Sequence, residues 1–107
     1  MYTSFRLDRQ SQLISVVFNP KPISRNLKSG EKPDYWSGEL DVIVKPRGEG
    51  KVLEMTSTKT IKVVKGEGYV EFQVSATPLD LCAFLIEIKH RGRCIQHTFL
   101  GERSLAV

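Results

Sequence analysis

The sequence lacks the features that build metal centres, disulfide frameworks and membrane spans. Its 107 residues include only two cysteines and two histidines, and the cysteines do not have Cys-x-x-Cys spacing. We therefore expect reduced cysteines, no cofactor and no metal ligand. No apolar run approaches the roughly 18 residues of a membrane helix, so we predict no membrane span. The N-terminal MYTSFRLDRQ does not have the charged and then apolar segments of a signal peptide, which favours a cytoplasmic protein.

Catalytic motifs are equally scarce. No serine stands in a Gly-x-Ser-x-Gly elbow, and no glycine-rich turn opens a helix as a phosphate-binding loop would. His90 and His97 do not pair with a nucleophile, and we expect His97 to be a hydrogen-bonded residue of the core or its rim. We therefore predict a protein without enzymatic activity and assign no catalytic residue.

Composition indicates an ordinary globular chain. Hydrophobic residues make up 40% and charged residues 26% of the sequence, which is enough apolar material for a core. A length of 107 residues predicts one domain spanning 1–107. The net charge of +4 permits contact with phosphates or acidic partners, but acids are interspersed among the bases, which favours an ordinary soluble surface.

Apolar and polar side chains alternate in several short segments, as they do in strands with one buried face. Turns rich in glycine and proline separate these segments at intervals of about 8 to 12 residues, which is typical of a sandwich or barrel. We predict an all-β fold, a single antiparallel β-sandwich of about seven or eight strands. A helix from Asp8 to Phe18 is the alternative for the first of these segments. The predicted inward positions are Ile14, Val16, Phe18, Leu40, Val42, Val44, Ile61, Val63, Val70, Phe72 and Val74.

The segment 81–100, LCAFLIEIKHRGRCIQHTFL, predicts a hairpin with Arg91-Gly92 as its two-residue turn. In a regular register His90 then stands opposite Arg93, and Cys82 and Cys94 point to opposite faces and cannot bridge. A helix starting at Thr77 is the alternative for the first half of this segment. The regular register pairs Ile88 with Ile95, Ile86 with His97 and Phe84 with Phe99 on the core face.

The order and spacing of the predicted strands and turns in residues 58–100 resemble the second half of bacterial immunoglobulin-like domains. A strand ends in Lys65 before Gly66-Glu67-Gly68, a strand with the sequence VEFQV follows, and a hairpin closes the segment. The hallmark order of cysteine, tryptophan and cysteine is absent, because both cysteines follow Trp36. The resemblance implies a module for binding, spacing or assembly and no specific ligand. The exposed sheet edges of a sandwich favour pairing with another chain, so we expect a protein partner or a second copy of the chain.

The longest unpatterned stretch, 19–35, contains three prolines and four basic residues. Long loops in compact domains often carry function, so we expect a binding surface there. Trp36 is expected to pack on the core. If the turns at 45–47 and 90–93 lie at the same end of the sandwich, they would form one basic rim for a polyanion such as nucleic acid. The candidate binding residues are Arg25, Lys28, Lys32, Tyr35, Arg47, Arg91 and Arg93.

A second alternative is enzymatic. Asp41 and Glu54 resemble the paired acids of restriction-type nucleases, in which an aspartate on one strand and a glutamate on the next hold Mg²⁺. That pattern also has a lysine two residues after the glutamate, where this chain has Thr56, and flanking helices, for which the sequence gives little sign.

Overall fold

The computed structural model describes residues 1–8, 10–23, 28–32, 34–48, 51–52, 56–74 and 82–101. Over these ranges the chain forms eight β-strands and no helix, which confirms the predicted all-β class. No helix of the described residues is long and apolar enough to cross a membrane. The strands are β1 (Tyr2–Asp8), β2 (Leu13–Asn19), β3 (Gly38–Gly48), β4 (Lys51–Val52), β5 (Ser57–Val63), β6 (Gly68–Gln73), β7 (Cys82–His90) and β8 (Arg93–Gly101).

Two antiparallel sheets pack face to face as a sandwich. One sheet has three strands in the order β1-β2-β6, and the other is built around β3, with β7 on one side and β8 beyond it. The short β4 and the longer β5 pair with different parts of β3, on the edge opposite β7. The helix alternatives through Phe18 and through Ile88 are therefore wrong, because both segments are strands.

The core lies between the sheets and is built from every second residue of the long strands. No polar or charged residue of the described ranges is buried as a whole, so the interior between the sheets is apolar. The predicted alternation is confirmed for all inward positions except Ile61, which is half-buried and packs against the core. The buried residues are Ile14, Val16, Phe18, Leu40, Val42, Val44, Val63, Val70, Phe72, Val74, Phe84, Ile86 and Ile88.

The turn of the β7–β8 hairpin is the predicted one. Arg91 has φ 52° and Gly92 has φ 78°, a pair of left-handed residues typical of the type I′ turn whose twist matches two paired strands. His90 stands opposite Arg93, and Lys89 opposite Cys94, as in the regular register. Cys94 is free and exposed.

Beyond Cys94 the predicted register is wrong, because a β-bulge interrupts it. Ile88 stands opposite Gln96, so Ile95 has no cross-strand partner and every later residue of β8 faces the other way. Thr98 and Leu100 therefore share the inward side of β8, and Leu100 packs against the core. The three predicted pairs are replaced by Ile88–Gln96, Ile86–Thr98 and Phe84–Leu100.

The bulge also changes the positions of two aromatic residues. His97 stands opposite Glu87 on the outer face and is exposed, so its expected place in the core or its rim is wrong. Phe99 stands opposite Leu85 on the same outer face and is 56% exposed. One extra residue is enough to exchange the faces of a strand, since side chains alternate with a period of two.

Candidate functional site

Three connections meet at one end of the sandwich, which we call the loop end: the described parts of the long loop between β2 and β3 (20–23, 28–32 and 34–37), the β5–β6 turn 64–67 and the β7–β8 turn 91–92. The start of β3 brings them together, because Gly38 pairs with Val63 and Asp41 pairs with Lys89 near the tip of β7. Loops carried on a rigid sandwich commonly form binding surfaces.

The β5–β6 turn fixes the long loop through its backbone. The Gly66 amide donates to the Trp36 carbonyl at 2.8 Å, and the Lys65 amide donates to the Ser37 hydroxyl at 2.8 Å. Gly66 has φ +80°, and a Cβ there would lie 2.7 Å from the Pro20 Cα. Both the left-handed backbone and the close approach therefore require glycine at this turn.

Trp36 is the aromatic centre of the loop end. Its side chain is half-buried and packs against the core, which confirms the inward orientation expected from the sequence. A Cβ at Gly38 would lie 2.6 Å from the indole ring, so glycine leaves the space that the ring occupies. The ring meets His90 in an edge-to-face contact, with 5.4 Å between centroids and an interplanar angle of 84°.

The Trp36–His90 pair separates two open clefts. The larger cleft has a volume of about 560 Å³. Charged residues of β3 and the hairpin turn line it, namely Glu39, Asp41 and Arg91. The smaller, of about 330 Å³, lies between the first residues of β1 and β8 and includes the apolar side chains of Met1 and Ile95. One cleft therefore suits a polar side chain and the other suits an apolar one.

Hydrogen bonding orients one acid of the larger cleft. Asp41 Oδ1 accepts from the Thr60 hydroxyl at 2.6 Å, across the β3–β5 pair. Within the described ranges, no three or more His, Cys, Asp or Glu side chains are grouped so that they could hold a metal ion. Glu54 lies outside the described residues, so the carboxylate pair of the nuclease alternative stays a prediction. The helices that flank such a pair are missing from the described part of the chain.

Most of the predicted binding residues belong to the loop end. Lys28 and Lys32 are exposed in the long loop, and Tyr35 is half-buried next to Trp36 in the sequence. The Lys28 amide donates to a Glu31 carboxylate oxygen at 3.0 Å, which closes a turn around this lysine. Arg91 and Arg93 are exposed at the hairpin tip. Arg25 lies outside the described residues.

The sequence-based hypothesis of a single basic rim is wrong for Arg47. Arg47 pairs with Ala83, which lies at the opposite end of β7 from His90. Ala83 and His90 are seven residues apart along the strand, which corresponds to roughly 23 Å. The Arg47 guanidinium instead lies over the Phe99 ring, 5.4 Å from its centroid. The turns at 45–47 and 90–93 therefore lie at opposite ends of the sandwich.

Lys45 lies on the outer face of the same sheet. Its Nζ is 2.5 Å from Glu87 Oε1 in an ion pair between partly buried side chains. The hydrogen bond from Lys45 holds the pKa of Glu87 below its ordinary value, in spite of the opposing effect of desolvation.

Trp36, His90, Glu39 and Asp41 line the larger cleft and are not among the candidate binding residues predicted from the sequence. His90 was placed at the hairpin tip, but no sequence pattern connects it to Trp36, which lies 54 positions away. No sequence pattern connects Glu39 to the hairpin turn, although both line the larger cleft. The close spacing of Trp36 and Gly38 is the one local signal that a large ring needs room beside β3.

No protein-family model matches the chain, and comparisons with curated proteins and with solved structures found no match.

Proposed function

We propose that this chain is a non-enzymatic module for protein binding or assembly, with an immunoglobulin-like architecture, that contacts its partner through the loop end. The observation that carries the proposal is the Trp36–His90 pair, which stands between a polar cleft and an apolar cleft on a surface made of three loops.

The strand order supports the immunoglobulin-like part of the proposal. If β1, β2, β3, β6, β7 and β8 correspond to strands A, B, C, E, F and G, the pairs A–B, B–E, C–F and F–G are all present. The remaining long strand, β5, stands beside C instead of E. In such sandwiches the loops between B and C and between F and G lie at one end, as the long loop and the hairpin turn do here.

The side chains of the loop end suit a protein partner. Interfaces concentrate their binding energy in tryptophan, tyrosine and arginine side chains that line pockets and are surrounded by a polar rim. Trp36, Tyr35 and Arg91 supply these residue types within one surface, and Glu39 and Asp41 add acceptors beside them. The two clefts give a partner separate places for an apolar and a polar side chain.

Affinity capture with two charge-reversal variants tests this proposal. Arg91→Glu changes the loop end, and Arg6→Glu makes the same change on β1 nearer the opposite end. Proteins retained by the wild type should be lost with Arg91→Glu and kept with Arg6→Glu, and a purified partner should bind Arg91→Glu at least tenfold more weakly in calorimetry. Equal binding of a purified partner to both variants would contradict the role of the loop end.

Binding of a polyanion is a second candidate, because Lys28, Lys32, Arg91 and Arg93 are all exposed at the loop end. If these four side chains contact phosphates of a single-stranded oligonucleotide, the logarithm of the binding constant should fall with the logarithm of salt concentration with a slope of about −3. Arg91→Glu combined with Arg93→Glu should reduce the slope. The absence of binding at low salt would remove this candidate.

A further inference from the structure

β8 is an edge strand with little protection against pairing. It is nine residues long, and among the described strands it pairs only with β7. Natural edge strands are usually protected by lysine, proline or a bulge. β5, at the other edge of the same sheet, has Lys59 and Lys62, whereas Gln96–Gly101 contains no lysine, proline or acid. The β8 bulge at Ile95 comes before this segment and leaves it regular.

We propose that two copies of the chain associate by antiparallel pairing of Gln96–Gly101 about a two-fold axis at Thr98. In this register Thr98 stands opposite Thr98 of the second copy, and His97 stands opposite Phe99 of the second copy. Threonine pairs and aromatic pairs are among the favourable cross-strand neighbours of antiparallel sheets. The segment is thus complementary to itself, as a two-fold interface requires.

The outer face of β8 presents the apolar surface that such pairing would cover. Phe99 is 56% exposed, and its ring meets His97 edge to face with 6.4 Å between centroids. Arg47 on β3 contacts this ring from the side of β8 that faces β7. The other side of β8, where a second copy would pair, is therefore left accessible. The paired segment contains no lysine, arginine or carboxylate, so no like charges stand opposite one another within it.

The position of the segment separates this inference from the proposed function. Gly101 pairs with Ala83, so Gln96–Gly101 runs away from the hairpin tip toward the opposite end of the sandwich. The larger cleft, which contains Arg91 and no residue of Gln96–Gly101, therefore stays accessible when β8 is paired, whereas Gln96 also lines the smaller cleft. Self-association and partner binding at the loop end can each fail without the other.

Sedimentation equilibrium of the full chain over a wide concentration range tests the association. We expect a reversible dimer, and Phe99→Lys should weaken it at least tenfold because it places an ammonium group at the centre of the interface. The matched control is Tyr69→Lys on β6, since Tyr69 is also an aromatic residue of an edge strand and is 54% exposed. Thermal unfolding should show that both variants are folded.

Disulfide trapping tests the register and does not depend on the stability of the Phe99 variant. In a background with Cys82→Ser and Cys94→Ser, Thr98→Cys should form a crosslinked dimer under mild oxidation, because opposed residues of paired strands lie within disulfide range. Gln96→Cys should not crosslink, since this register sets Gln96 opposite Leu100.

Three outcomes would overturn the inference. They are a monomer at the highest concentration, equal weakening of the dimer by Phe99→Lys and Tyr69→Lys, and crosslinking of Gln96→Cys as efficient as that of Thr98→Cys. If β8 pairs with a strand of a different protein and not with a second copy, the purified chain stays monomeric, which is the first of these outcomes.

Discussion

Truncation of two isoleucines in the β7–β8 hairpin should have very different costs. Ile88 is 1% exposed, and Ile95 is 52% exposed because it occupies the bulge. Replacement by alanine removes three carbons in each case, worth about 2.4 kcal/mol when they are fully buried. At Ile88 the residual cavity adds to this term, so Ile88→Ala should destabilise the fold by about 3–4 kcal/mol.

At Ile95 roughly half of that transfer term applies, and no enclosed cavity forms. Ile95→Ala should therefore cost about 1 kcal/mol. Both variants lose the same β-branched side chain from a strand of one hairpin, so the difference of about 2–3 kcal/mol reports burial.

Urea unfolding followed by the fluorescence of Trp36 measures both costs, because this single tryptophan packs against the core. The slopes of the two transitions should match that of the wild type, which shows that the unfolded states are comparable. Equal costs for the two variants would refute the bulge and restore the regular register, in which both isoleucines face the core.

Two further predictions concern an ion pair and a turn. Lys45→Met should destabilise the fold by about 0.5–1 kcal/mol at neutral pH. Because Lys45 lowers the folded-state pKa of Glu87, this contribution is present above the ordinary glutamate pKa and is lost as the pH falls through the lowered value. Denaturant titrations of wild type and variant should therefore converge in acid, and a difference that persists there would contradict the assignment. Gly66→Ala should destabilise more than Gly92→Ala in thermal unfolding, because both glycines have positive φ but only a Cβ at Gly66 meets Pro20. Similar losses would show that the contact with Pro20 carries no cost.

Local patterns in the sequence account for the strands and the core. Leu40, Val42 and Val44 are buried because alternation along a strand selects one face, whatever the partner strands are. The Arg91-Gly92 turn was also predictable, since a two-residue hairpin turn with two left-handed residues favours glycine at such a position. These features depend on residues close together in the chain.

The bulge was not predictable from the same pattern. A regular register would turn Ile95, His97 and Phe99 of β8 toward the core. In the structure Thr98 and Leu100 face inward instead. The comparison that distinguishes the two registers sets the packing of Leu100 against the core beside the exposure of Ile95 and Phe99. That comparison involves both sheets, so a single hairpin cannot reveal it.

Strand periodicity and turn chemistry act over a few residues, so local sequence is enough to specify the all-β class, the inward faces of most strands and one turn. The tertiary structure fixes which loops share an end. It brought Trp36 to His90 through the pairing of β3 with β7, and it set Arg47 at the other end of the same sheet. Strand order and direction are properties of the assembled sheets, so the position of the candidate site is decided there.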